Sequence, residues 1–273
     1  MLNRGDAMTL RPCTFSWLPL LGTMAMAMAL GPQSAADEAE SQGDAWPVAL
    51  YGEVGIVSDY IDRGITSSNH DPALQGGVTA ELPVGEGATA LYAGVWGSTV
   101  DFDEEGDGPV EIELSAGAYG LVGETGLDWD LSAAYYVYPG AQGSLDYDYA
   151  EFFGRLGYAL TDDLATSVGY AFSPDYSGSV GLSHYVDARV AYTLPFDLPA
   201  AVTLDAGIGQ QWFESNSQAG LEDYLDWSIG ATAEVGSFAL GLRYTDTDLG
   251  DRDCYGGTNA CDARIVLSLT ASF

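Results

Sequence analysis

Lysine is absent from this chain of 273 residues; its 8 basic residues are all arginine and face 40 Asp and Glu, for a formal charge of −32. Phosphate backbones repel such a polyanion, so nucleic acid is excluded as a partner. Imidazole is almost missing too: the chain offers only His70 and His184, too little acid–base equipment to expect an enzyme. Of 3 cysteines, Cys13 falls in the leader, and Cys254 and Cys261 have no flanking His or further Cys, so neither zinc nor another cofactor is expected. In an oxidising exported compartment that close pair is read as a local disulfide. Beyond the leader there is no apolar run of about 20 residues, which excludes a helical membrane span. Disorder is excluded by what is present, 47% hydrophobic and 12% aromatic residues.

The leader combines Arg4 and Arg11, an apolar stretch from Phe15 to Leu30, and the small residues Ser34, Ala35 and Ala36. This reads as a secretory signal over 1–36. An acidic periplasmic tail over 37–47 follows, and 48–273 form the remaining unit.

From Val48 onward apolar residues recur with a period of two. Ile265, Leu267, Leu269, Ala271 and Phe273 share one face, opposite Arg264, Ser268, Thr270 and Ser272. About twelve strands are expected, over 48–58, 73–82, 88–100, 110–122, 127–138, 148–160, 163–172, 180–194, 200–213, 224–235, 237–246 and 262–273. Their connectors alternate long and short. An even strand count with long loops at one end and tight turns at the other predicts an all-β, up-and-down antiparallel outer-membrane β-barrel. A secreted β-sandwich would not need that alternation. Aromatic residues towards strand ends, among them Trp129, Tyr138, Tyr158, Trp212, Trp227 and Tyr244, fit interfacial girdles, and the terminal Phe273 fits recognition by the outer-membrane assembly machinery.

Several blocks, in order, resemble the TorF family of porin-like bacterial outer-membrane proteins: VSDYIDRG and PALQGG (Val57 to Gly77), YAGVWGSTVDF (Tyr92 to Phe102), YYVYPGA (Tyr135 to Ala141), YLDWSIGA (Tyr224 to Ala231), YTDTD (Tyr244 to Asp248) and DARIVLSLTASF at the end. Where members usually carry a basic and an aromatic residue, this chain has Ile61 and Asp62. The resemblance implies a porin class and names no solute.

The strand register turns Glu53, Glu81, Glu111, Glu113, Asp128, Asp130, Glu151, Asp187, Asp205, Asp226 and Glu234 inward, with Arg155, Arg189, Arg243 and Arg264. An Arg at the lipid midplane costs about 2–4 kcal/mol, so these groups must face water or one another. The arginines fall on the sixth, eighth, eleventh and twelfth expected strands, and the first five are almost purely acidic, so the lumen should be laterally polarised. Arg155 and Arg243 are expected near mid-height, narrowing the passage. The expectation is a channel for passive diffusion of small hydrophilic solutes, preferring cations. Its alternative is a closed structural or adhesive barrel whose acidic loops bind a partner or divalent cations, bridging to lipopolysaccharide. Asp101, Asp103 and Glu105 start like a calcium loop, but Ile112 stands where the closing Glu belongs, and Asp246, Asp248, Asp251 and Asp253 form a second acidic group. No long inward-folding loop and no obvious interface strand is recognisable, so the sequence leaves monomer and trimer open.

Overall fold

The structure is a computed structural model and describes residues 47–85, 88–143, 145–196, 199–250 and 252–273. The signal over 1–36 and all but the last residue of the acidic tail lie outside the described residues.

Antiparallel strands close a barrel of twelve: β1 (Ala49–Val57), β4 (Ala73–Pro83), β5 (Ala90–Thr99), β6 (Val110–Leu121), β7 (Leu127–Val137), β8 (Tyr149–Ala159), β9 (Leu164–Ser173), β10 (Ser183–Thr193), β11 (Ala201–Phe213), β12 (Tyr224–Val235), β13 (Phe238–Thr247) and β14 (Arg264–Ser272). The expected all-β barrel is the one found, with strand ends within three residues of the expected ones. β1 forms the seam, pairing with β14 from Glu53↔Ser272 to Val57↔Ser268. Reciprocal backbone bonds of 2.9 Å between Gly52 and Phe273 lengthen that seam. Closure satisfies the ladder without leaving an edge, as hydrocarbon requires.

The chain is apolar on the outside. Alternation sends Leu50, Val54 and Ile56 of β1 and Ile265, Leu267 and Leu269 of β14 outward, with Leu50 69% and Ile265 67% exposed. Leaving such surface in water costs about 25 cal/mol/Å², and a lipid surrounding removes the cost. Short turns join strands at one end, the tightest being Gly236–Ser237 between Val235 and Phe238, where Gly236 takes φ +59°. Tyr138 departs from its expected place in the girdle: it shares the parity of Tyr136, so its ring is buried inside at the long-loop end.

A second departure decides the architecture of the lumen. Residues between β1 and β4, expected to be only a long loop, contain a hairpin, β2 (Ile61–Asp62) paired with β3 (Ile65–Thr66). Its two central residues, Arg63 (φ +45°) and Gly64 (φ +85°), both adopt positive φ, the requirement of a type I′ turn. A side chain at position 64 would also meet Thr247 Cγ2 at 2.5 Å and Asp226 Cβ at 3.0 Å. Gly64 therefore serves both the turn and the close approach to the wall.

The base of this hairpin is tied down by Asp59, whose carboxylate accepts from Thr66 Oγ1 (2.5 Å), Ser68 Oγ (3.2 Å) and Arg264 Nη1 (2.9 Å). Thr66 N also donates to Ala260 O at 3.0 Å, joining the hairpin to the loop between β13 and β14. In that loop Cys254 and Cys261 form a disulfide with Cα atoms 6.0 Å apart. Closing so short a ring contributes roughly 2–3 kcal/mol in the chain-entropy picture. Reduction is expected to leave the barrel folded and to make the loop after Thr247 sensitive to protease; unchanged digestion on reduction would contradict this.

Candidate functional site

The inner face repeats one device: a glycine on one strand and a long polar side chain from its neighbour lying flat over it. A Cβ at Gly169 would collide with the Asp187 carboxylate, and one at Gly209 with the Tyr185 hydroxyl. A Cβ at Gly230 would lie 3.2 Å from Arg243 Cζ. Polar groups thus line the wall instead of projecting across it, and a cavity of about 1280 Å³ persists inside. It is lined by Glu81, Thr89 and Tyr119 at the short-turn end and by Asp101, Tyr147 and Asn259 at the long-loop end.

The acidic residues expected inside lie on β1, β4, β6–β8 and β10–β12. Asp130 accepts Tyr92 Oη at 3.1 Å through both oxygens, Asp226 accepts Tyr185 Oη at 2.9 Å, and Glu81 accepts Tyr119 Oη. Glu111 takes two phenols, Tyr60 at 3.0 Å and Tyr138 at 2.7 Å. Burial, and then the Glu111 charge, hold the Tyr60 phenol well above its ordinary pKa, so it remains a donor. Glu53 keeps one oxygen buried without a hydrogen-bond partner, and the buried Glu113 lies beside Tyr136.

The expected arginines stay on their own side of the ring. Arg189 Nε is 2.8 Å from Asp187, which Arg155 approaches at 3.9 Å while donating to Ser167 Oγ at 3.1 Å. Arg243 pairs with Asp205 at 2.8 Å and donates to Ser228 Oγ at 2.9 Å. Arg155 and Arg243 therefore run along the wall. Arg264 sits at the long-loop rim, where Asp59, the Asn259 and Ala260 carbonyls and His70 hold it against the hairpin base.

What crosses the lumen is Arg63, a residue that the sequence reading passed over. From the hairpin tip it reaches the strands opposite β1 and β4: Nη2 donates to both Glu151 oxygens at 2.7 and 2.8 Å, and Nη1 to Gln211 Oε1 at 2.9 Å. Its Cζ lies 4.5 Å over the Tyr185 ring. Glu151 is 1% and Gln211 0% exposed. Burial works against the charge on Arg63, but Glu151, with Asp62, outweighs it and raises its pKa further above the ordinary value. A clue was present in the sequence: Arg63-Gly64 between two isoleucines is a turn, and any Arg in so acidic a chain has carboxylates to meet.

The histidines serve other ends. His70 Nδ1 is 3.3 Å from Asp59 at the hairpin base, and His184 Nδ1 is 2.8 Å from Tyr170 Oη on the outer face. Ser183 points inward and accepts from Gln211 Nε2 at 3.0 Å, so Ser183 and His184 occupy opposite faces. Loop carboxylates cap backbone: Asp101 accepts the Asp103 N–H at 2.9 Å, and Asp248 the Leu225 N–H at 2.7 Å. Among the described residues no three His, Cys, Asp or Glu are grouped to hold a metal. Asp251 lies outside the described residues.

In fold, the chain is similar to the COG4313 outer membrane channel from Pseudomonas putida F1, at 11% identity, with a TM-score of 0.52 over 85% of this chain and 99% of that one. NanC porin (10% identity, TM-score 0.49) and KdgM porin (8%, TM-score 0.48) each align over 82% of this chain and 99% of theirs. No curated protein matches the sequence. A family profile does match, over residues 40–273, and the chain belongs to that family, described as bacterial protein of unknown function (Gcw_chp).

Proposed function

We propose that this protein is an outer-membrane channel for passive diffusion of small hydrophilic solutes, preferring cations and catalysing no reaction. The observation that carries the reading is a cavity lined by charged and phenolic groups from the short-turn end to the long-loop end. Acidic side chains outnumber arginines along it, which favours cation entry and disfavours anions. On this reading the long loops face outward towards lipopolysaccharide and the short turns face the periplasm. The exported chain would lose residues 1–36, and Phe273, 78% exposed at the end of the seam, is the group offered to the assembly machinery. Kinship with the TorF family, read from the sequence blocks, belongs to the same proposal.

Swelling of proteoliposomes in solutes of graded size tests it, with rates expected to fall as solute size rises. Swelling no faster than in protein-free vesicles would favour the second reading, a closed barrel with binding loops. That reading has its own support, since Tyr60, Tyr136, Tyr138 and Tyr149 pack into a core inside the long-loop end. Arg155→Ala and Arg243→Ala each remove a positive charge from the wall. They are expected to shift the reversal potential further towards the cation value with only a small rise in conductance; a shift towards the anion value would contradict the assignment of both side chains to the passage.

A further inference from the structure

We propose that Glu151, Gln211 and Tyr185 form a receptor for a guanidinium-bearing solute, and that Arg63 is its tethered occupant, displaced when such a solute enters. The inference rests on the channel reading for how the solute arrives, whereas the site itself stands on the contacts of the barrel wall.

Two of the three receptor groups are held without Arg63. Gln211 is oriented by its own Nε2, which donates to Ser183 Oγ at 3.0 Å, leaving Oε1 aimed into the lumen. Tyr185 is fixed by its hydrogen bond to Asp226 and by the space left at Gly209. A carboxylate, an amide oxygen and an aromatic face around one spot are the groups a planar delocalised cation needs.

The tethered fit leaves something to gain. One nitrogen of Arg63, Nη2, serves both Glu151 oxygens, and Nε is buried without a hydrogen-bond partner. A free guanidinium can turn to present two parallel N–H groups to the carboxylate, the stronger arrangement. Glu113, 0% exposed, stands close to Glu111, Glu151 and Asp62, so an Arg63 displaced by the solute has other carboxylates to meet. The hairpin that must move is small, two residues paired with two.

The test uses the full chain folded in detergent and methylguanidinium as the probe. Arg63→Ala vacates the receptor and should bind methylguanidinium at least about tenfold more tightly than the wild type does, by calorimetry. Methylammonium should bind less well, and Arg63→Ala/Glu151→Gln should lose the binding. In bilayers the probe should lower the conductance of Arg63→Ala by refilling the site. Folded Arg63→Ala that does not bind the probe, or binds it equally with Glu151→Gln, overturns the proposal and makes Arg63 an anchor only. If Arg63→Ala does not fold, the wild type carries the test: methylguanidinium should speed proteolysis of the segment around Arg63, and an unaltered rate overturns the proposal. Binding without conductance in any variant would support the receptor and remove the channel reading; conductance without binding would do the reverse.

Discussion

Arg63→Ala is expected to raise single-channel conductance severalfold while the barrel keeps its heat-resistant mobility on gels. The side chain spans from the hairpin between β1 and β4 to Glu151 on β8 and Gln211 on β11, so its removal deletes the polar bridge across the lumen. Removing one partner of a dry buried ion pair costs about 3–5 kcal/mol, because the other charge is stranded. Here the loss is smaller, since Glu151 borders the cavity and water can reach it once the guanidinium is gone. The barrel ladder does not pass through the hairpin, so the fold survives and the passage widens. Arg63→Lys should fall between the two, a point charge replacing the planar group. Unchanged conductance in a folded Arg63→Ala protein would show that the constriction lies elsewhere, and the aromatic core around Tyr136 and Tyr149 would then be the obstruction.

Leu131→Arg is expected to abolish most refolding into bilayers, whereas Ser132→Arg, one residue along β7, should refold nearly as the wild type does. Leu131 is 61% exposed on the outer face, midway along the strand. Arg there meets hydrocarbon, at about 2–4 kcal/mol near the midplane. Ser132 faces the cavity, where an added guanidinium finds Asp130 and water. The contrast is read from the folded fraction on unheated gels. Equal refolding of both variants would contradict the assignment of inside and outside on which the account depends.

The strands were legible in the sequence because lipid outside and water inside impose the same period-two signal on every one of them. β12 shows it without interruption and β14 breaks it only at Val266, and their ends followed from the turn residues. Inward carboxylates and arginines followed from parity alone. The hairpin was not legible, since two-residue strands carry no periodicity and its contacts run to residues 88 and 148 positions away. Parity says which way Glu151 and Gln211 point but not which loop comes to meet them. It also cannot tell a side chain that projects from one that lies flat, which is why Arg155 and Arg243 looked like the constriction. For Arg243 that distinction is made by Gly230, whose missing side chain leaves room along the wall. Tyr138 was misplaced for a related reason: an aromatic near a strand end fits the girdle and the lumen equally well until its parity with Tyr136 is counted.

The most direct test of the central claim, a cation-preferring passage through the barrel, is the reversal potential of single channels in a planar bilayer under a potassium chloride gradient. The acidic cavity predicts discrete conductance steps and a reversal potential on the potassium side of zero, moving towards zero when Asp130 and Glu81 are both changed to the corresponding amides. A reversal potential on the chloride side, or no conductance steps from protein that carries its heat-resistant fold, would contradict it.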